Sequence, residues 1–275
     1  VVTPPRFVGP EAEARLDWID LTDTFVSGHA LPRAETRDSF ATRGADTILT
    51  RTAFIDGMGS LVKAATVFPG NTPAPTINGG VMLFADGDGT LEAVIDFHLL
   101  TKWKTAASAL LAARRLAPPQ VDRVLIVGAG TVAASMIEAY RAQFGDVPIA
   151  IWNRTPDRAR NLLGPGVTLA DDLKQAVKQA DIICTATMAE TPVIKGDWLR
   201  PGQHLDLIGA FRPGMREVDD TALTRARLFA AAPPSALHIG ELADPRAPDD
   251  ITIAKNGGGA HLDLMTARYI LGRAA

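Results

Sequence analysis

The sequence predicts a mixed α/β protein, with a doubly wound parallel-sheet domain and an α+β domain whose strands are mostly antiparallel. From "RVLIVGAG" to "RLFAA", short continuous apolar runs alternate with helical stretches, as expected of parallel strands covered on both faces. Upstream of Ala117 the segments alternate apolar with polar residues and are broken by Gly, Asn, Pro and Asp, as expected of strands joined by turns. The change comes at "APPQVDR", where two prolines end a helical stretch and an apolar strand follows. The parallel-sheet domain is therefore expected at residues 118–252. The α+β domain is expected at residues 1–117 and 253–275, with the closing helical run "DLMTARYILGRAA" returned to it.

In chain order, "ADTILTRTAF", "SLVKAATVFP", "GGVMLFAD" and "LEAVIDF" have the alternation of antiparallel strands. "LLTKWKTAASALLAARRLA" follows as a helix with an alanine-rich face, stopped by the prolines. The second domain then reads as strand and helix in turn. "RVLIVGAG" precedes the helix "TVAASMIEAYRAQFG", and "PIAIWNRT" precedes the helix "PDRARNLLG". The helix "DDLKQAVKQA" leads into the strand "DIICTAT", and the strand "HLDLIGA" is followed by the helix "DDTALTRAR" and the strand "RLFAA".

Composition excludes several function classes. Of 275 residues, 47% are hydrophobic and 21% charged, ordinary for a packed chain, and a net charge of -3 lacks the basic excess that neutralises nucleic-acid phosphates. No apolar run reaches the ~18 residues of a membrane span. "VVTPPRFVGPEAEARLDW" has neither the charged start nor the apolar middle of a signal peptide, so a cytoplasmic location is expected. Cys184 stands alone inside "DIICTAT", which predicts a small core residue rather than a nucleophile. His29, His98, His204, His238 and His261 are scattered singly, without metal-ligand spacing, and no metal is expected.

The stretch "VLIVGAGTVAAS" carries the first chemistry. A strand ends at Val127, and Gly128, Gly130 and Ala133 follow at the start of a helix opened by Thr131 and Val132, the context a dinucleotide fingerprint requires. The glycines let the backbone approach a pyrophosphate, and the helix N-terminus offers free N–H groups and a partial positive charge. Ala133 has only to let helix pack closely on strand. The next strand arrives about 20 residues later, where the ribose-reading residue belongs. Asn153, Arg154 and Thr155 stand there in place of an acid, and a guanidinium fits a 2′-phosphate, so NADP(H) is preferred and NAD(H) remains possible. Thr185, Ala186 and Thr187 end one later strand, and Ile208 and Gly209 the next. They lie at the carboxyl edge where such Rossmann sheets hold ligands, and they complete the cofactor-binding set.

"LVKAATVFPGN", "LTKWKTAASALLAARRLA", "DIICTATMAETPVIKGDWLRPGQHLDLIGAFRPGMREVDD" and "TIAKNGGGAHLDL" follow in this order between Leu31 and Leu264. Together they resemble the motifs of the ornithine cyclodeaminase and mu-crystallin family. The resemblance implies a homodimer in which a Rossmann domain is inserted into a substrate and dimerisation domain, and chemistry on an imine or amine beside a carboxylate. It includes cyclodeaminases with bound NAD, reductases of cyclic ketimines, amino-acid dehydrogenases, and mu-crystallin, which binds NADPH. It further implies three functional cations. Lys63 matches the catalytic lysine, and Arg37 matches an early arginine for which Arg33 is the competing position. Lys104 stands where the family usually has the arginine of RTAA, keeping the charge and losing the planar fork.

Two expected acids of the cyclodeaminases are absent. Phe211 occupies the place of an aspartate in "GAFRPG", and Leu49 or Thr50 that of a carboxylate before "RTAF". A phenyl ring neither accepts a proton nor holds an amino group. The expectation is therefore an NAD(P)H-dependent reductase of a small cyclic ketimine or imino acid, of the pyrroline-2-carboxylate or piperideine-2-carboxylate type. Lys63 would be proton relay or imine polariser, and Arg37, Lys104 and Lys63 the carboxylate clamp. The alternatives are a cyclodeaminase-type lyase with tightly bound NAD, and a non-catalytic binder of NADPH and a small ligand of the mu-crystallin kind. His204 and Asp206 are expected beside the site or at a solvent-facing strand edge.

Overall fold

The computed structural model describes residues 4–210, 214–230 and 247–274. Its helices are α1 (Trp18–His29), α2 (Phe97–Leu116), α3 (Thr131–Phe144), α4 (Leu173–Gln179), α5 (Asp220–Arg225) and α6 (Ala260–Arg273). The chain divides into two compact units, Val1–Lys104 with Gly258–Ala275, and Thr105–Gly257. Among the described residues no helix is long and apolar enough to cross a membrane.

The first unit holds a six-stranded sheet of β1 (Arg6–Val8), β2 (Glu35–Arg43), β3 (Asp46–Ile55), β4 (Gly59–Val67), β5 (Ile77–Phe84) and β6 (Leu91–Asp96), in the order β1-β6-β5-β4-β3-β2. Strands β2 to β6 form an antiparallel meander, and β1 runs parallel beside β6. Helix α6 packs on the face that carries Ala53, Leu61, Lys63 and Val81, and α1 packs on α6. The opposite face leaves Phe7, Phe54 and Met82 exposed by 75%, 49% and 38%. Strand β1, helix α1 and strand β2 add to the sequence expectation. Helix α1 is capped by Asp17, whose carboxylate accepts from Ile19 and Asp20 N–H, and it buries Trp18, Leu21 and Phe25 at helical spacing. Strand β2 is exposed along its whole length and so shows no alternation to read.

The second unit is a seven-stranded, wholly parallel sheet. It comprises β7 (Val124–Val127), β8 (Ile149–Trp152), β9 (Val167–Leu169), β10 (Ile182–Thr185), β11 (His204–Leu207), β12 (Arg227–Ala230) and β13 (Thr252–Lys255), in the order β12-β13-β11-β10-β7-β8-β9. The chain winds outward from β7 through β8 to β9 and then returns to β10. Strand order thus reverses between β7 and β10, and the carboxyl ends at such a reversal are where open α/β sheets hold ligands. "PDRARNLLG" forms a 3-10 helix, Pro156–Leu162, instead of an α-helix.

The second unit begins inside α2, at Thr105 and not at residue 118. The last turns of α2 belong to the parallel sheet, since Ala112 and Leu116 pack with Ala254, and Thr252 Oγ1 donates to Leu116 O at 3.2 Å. His204 and Asp206 face neither solvent nor a strand edge. Both are buried in the sheet, where Tyr140 donates to Asp206 at 2.7 Å and His204 Nδ1 lies 2.9 Å from Thr252 Oγ1. Their remaining atoms, His204 Nε2 and Asp206 Oδ1, face each other at 3.2 Å without a hydrogen bond, an interior pairing that the alternation of a short strand does not reveal.

Candidate active site

At the carboxyl edge of β7 the chain turns at Gly128, φ 122°, a conformation side chains other than glycine avoid. A Cβ there would lie 2.5 Å from Ala186 O, so glycine is what lets the ends of β7 and β10 close up. Gly130 caps α3 without any side-chain bond to the first turn, and a Cβ on it would meet nothing within 4 Å. Free N–H groups at Thr131 and Val132 therefore open on space, a cradle that fits a pyrophosphate. Ala133 is fully buried behind them. After β8, Asn153 Nδ2 donates to Thr155 O at 2.8 Å and fixes the turn, while Arg154 is exposed and makes no ion pair among the described residues.

Thr185, Ala186 and Thr187 follow β10 into the same edge, held by an acid that sequence reasoning passed over. Glu217 is buried, and its Oε1 accepts from Thr187 N at 2.9 Å and from Thr187 Oγ1 at 2.8 Å. Burial pushes its carboxyl up, against the pull of the Thr187 bonds and of Lys255. Gly209, after Ile208, lies so close to Thr187 O and the Glu217 carboxylate that no Cβ fits. Lys255, at the end of β13, donates to Leu207 O at 3.2 Å and Gly209 O at 2.6 Å, and burial pushes its ammonium down, offset in part by Glu217. Cys184 is buried with its thiol pushed well up, first by burial and then by Asp206, as befits a core residue.

The first unit gathers a second set of charges. Lys63 on β4 is buried and donates to Asp263 Oδ1 at 2.9 Å, its ammonium 5.0 Å from the Phe97 ring centre. Asp263 lies in the first turn of α6, where the helix end favours an anion. Burial alone would raise its carboxyl, but Lys63, Lys104 and Arg51 outweigh that and hold it below the usual range. Lys104, on α2, is buried, and no acid or carbonyl among the described residues bonds its ammonium. Burial, with Lys63 and Arg51, lowers it to about 8 against the pull of Asp263 and Asp38. Arg51 on β3 sits opposite Lys63 in the ladder and pairs with Asp38 at 3.0 Å.

Lys63 and Lys104 thus meet, but Arg37 does not join them. It stands opposite Thr52, whereas Asp38, Arg51 and Lys63 stand opposite one another, so Arg37 points from the other face of the sheet and is exposed. Arg51 and Asp263 take up the positions beside the lysines. The ladder register is the signal that would have found Arg51; for Asp263 it is an acid among apolar residues in "GAHLDL". Phe211, and with it the absence of an acid in "GAFRPG", lies outside the described residues, as does His238.

The second unit, with its glycine cradle at the reversal of strand order, is a Rossmann fold of the dinucleotide-binding kind. A family model described as "Ornithine cyclodeaminase/mu-crystallin family" matches residues 50–270, and the chain belongs to that family. It is 43% identical to the Delta(1)-pyrroline-2-carboxylate reductase of Paracoccus denitrificans, over 97% of this chain and 96% of that one. It is 33% identical to the ketimine reductase mu-crystallin of Mus musculus, over 76% and 74%. A solved structure of similar fold is the Thermococcus litoralis Delta(1)-pyrroline-2-carboxylate reductase in complex with NADH and L-proline, with a TM-score of 0.87 over 98% and 97% of the two chains and 18% identity.

Proposed function

We propose that the protein is a reductase that adds hydride to the C=N carbon of a small cyclic imine bearing a carboxylate, of the pyrroline-2-carboxylate or piperideine-2-carboxylate type. The observation that carries this is the buried set in the first unit, one lysine held by Asp263 beside a second lysine held by no acid. An imino acid brings to such a set a carboxylate for the unpartnered ammonium and a nitrogen that takes up a proton. Lys63 uses one N–H on Asp263 and has two others to hold that nitrogen or supply its proton. The residues that would hold a dinucleotide are Gly128, Gly130, Thr131 and Val132 at the pyrophosphate and Asn153, Arg154 and Thr155 at the ribose. Thr185, Ala186, Thr187, Ile208 and Gly209 would lie toward the nicotinamide. Reduced nicotinamide, when bound, supplies the hydride. The names of the Paracoccus and mouse relatives, a pyrroline-2-carboxylate reductase and a ketimine reductase, support the same chemistry.

An exposed Arg154 at a strand end without an acid supports a preference for NADPH. The test is loss of reduced-nicotinamide absorbance with purified protein and pyrroline-2-carboxylate. Oxidation is expected, faster with NADPH than with NADH. Arg154→Ala is expected to raise the KM for NADPH about 10-fold and to leave that for NADH unchanged. Ammonia release from ornithine without net nucleotide consumption would favour the lyase instead. Tight NADPH binding with no imine consumed would favour the binder. We infer also that two copies pair through the sheet face bearing Phe7, Phe54 and Met82, since an exposed apolar surface suits a self-complementary contact. A solution mass of one chain by light scattering would overturn that pairing.

A further inference from the structure

We propose that Arg51 grips the substrate carboxylate with its planar fork, supplying from β3 the guanidinium that position 104, a lysine, lacks. The proposal rests on the imino-acid reading of the first unit. Arg51 stands between Asp38 on β2 and Lys63 on β4 in the ladder, so all three side chains share the face under α6. One edge of the guanidinium is tied back by Nη2 to Asp38 at 3.0 Å. The remaining donors are not used in the same way. Nε is buried without a hydrogen-bond acceptor, and Nη1 lies 3.4 Å from the point a Cβ on Gly258 would occupy.

Lys104 Nζ lies 3.2 Å from that same point. Two cations therefore converge on one place, kept open by a glycine, and neither Asp263 nor Asp38 bonds the ammonium there. Like charges brought together out of water raise each other's cost unless an anion shares them. The three cations of the set stand against two acids, leaving one positive charge that a single carboxylate neutralises. Its two oxygens match a guanidinium fork, whereas Lys104 can add only a point charge. Gly258 fits this arrangement, because a side chain there would press on both cations.

The experiment is calorimetric titration of the purified protein, saturated with oxidised nucleotide, with L-proline and with pyrrolidine, which has no carboxylate. Arg51→Met is expected to weaken proline about 10- to 100-fold and to leave pyrrolidine unchanged. Arg51→Lys is expected to recover little, while Lys104→Arg added to Arg51→Met restores most of the loss by returning the fork from α2. Nucleotide affinity, carried by residues of the second unit, is the control for folding. Equal proline affinity in Arg51→Met would overturn the proposal, as would parallel losses for both ligands. Full recovery in Arg51→Lys would reduce Arg51 to a charge and overturn the fork. A wild type that reduces the imine with a KM indifferent to Arg51→Met refutes this proposal and leaves the reductase standing. A wild type that binds proline through Arg51 but reduces no imine does the reverse.

Discussion

Two buried sets of charge, one in each unit, use the same residue types to different ends. Around Lys63 the acid touches the base, Asp263 at 2.9 Å, and another lysine is left over. Around Glu217, acid and base form no direct ion pair. Glu217 accepts from the N–H and hydroxyl of Thr187, and Lys255 donates hydrogen bonds to the carbonyls of Leu207 and Gly209. Electrostatics follows the same division. Asp263 is held below the carboxylate range because three cations outweigh its burial, whereas Glu217 is raised and Lys255 lowered because burial outweighs each one's attraction to the other. A charge spent on backbone groups fixes the shape of a strand end. A charge left over is available to a ligand.

The largest effects are expected where charge balances charge. Asp263→Asn leaves Lys63, Lys104 and Arg51 facing one another with no acid among them but Asp38, which is partly exposed. It is expected to cost about 3 kcal/mol or more of stability, read by urea denaturation. Lys63→Met is expected to lower the turnover number about 100-fold or more with nucleotide affinity kept. If Asp263→Asn costs no more than a neutralising change at Glu217, the contrast between the two sets is wrong.

A smaller, pH-dependent effect belongs to Lys104. Its folded-state value of about 8 lies below its ordinary 10.5, so between these the unfolded chain holds a proton that the folded chain has lost. Stability therefore rises with pH across that window, by about 3 kcal/mol at most, and the full penalty is present below about pH 8. Substrate affinity runs the other way, because a carboxylate needs the ammonium. KM for the imino acid should stay flat up to about pH 8 and then climb about tenfold per pH unit. Lys104→Arg keeps its charge throughout and should flatten that climb. The same rise in wild type and Lys104→Arg would show that the unpartnered lysine is not what the ligand meets.

How much of this is legible in the sequence depends on whether a residue's role is local. Five strands of the parallel sheet, β7, β8, β10, β11 and β12, declare themselves as short apolar runs, β9 and β13 do not, and the cradle does because Gly128, Gly130 and Ala133 need only their own strand and helix. Lys63 stands out among apolar neighbours. Arg51 does not, since it matters through ladder register, and Asp263, though also an acid among apolar residues, meets Lys63 from 200 residues away. Arg37 fails by parity. It is next to Asp38 on β2, and one step along a strand exchanges the faces of the sheet. His204 and Asp206 mislead for a related reason, since what makes them interior is Tyr140 on a helix and Thr252 on a distant strand.

The smallest effect should come from the set whose charge is spent on backbone. Glu217→Gln keeps an oxygen where Thr187 donates, and the neutral amide resembles the form that burial already favours. It should cost less than about 1 kcal/mol and change nucleotide affinity by less than about threefold, read by the fluorescence of bound NADPH. Glu217→Ala strands the Thr187 N–H and hydroxyl, and should cost about 1–3 kcal/mol and weaken the nucleotide about tenfold. The pH dependence carries the sign. Because the folded-state carboxyl is raised, ionising Glu217 costs the folded chain stability as pH climbs through that raised value, so Glu217→Gln should gain on wild type from acid toward neutral pH. If Gln instead weakens the nucleotide as much as Ala does, the negative charge itself is at work, and Glu217 belongs with Lys104 among charges that act on a ligand.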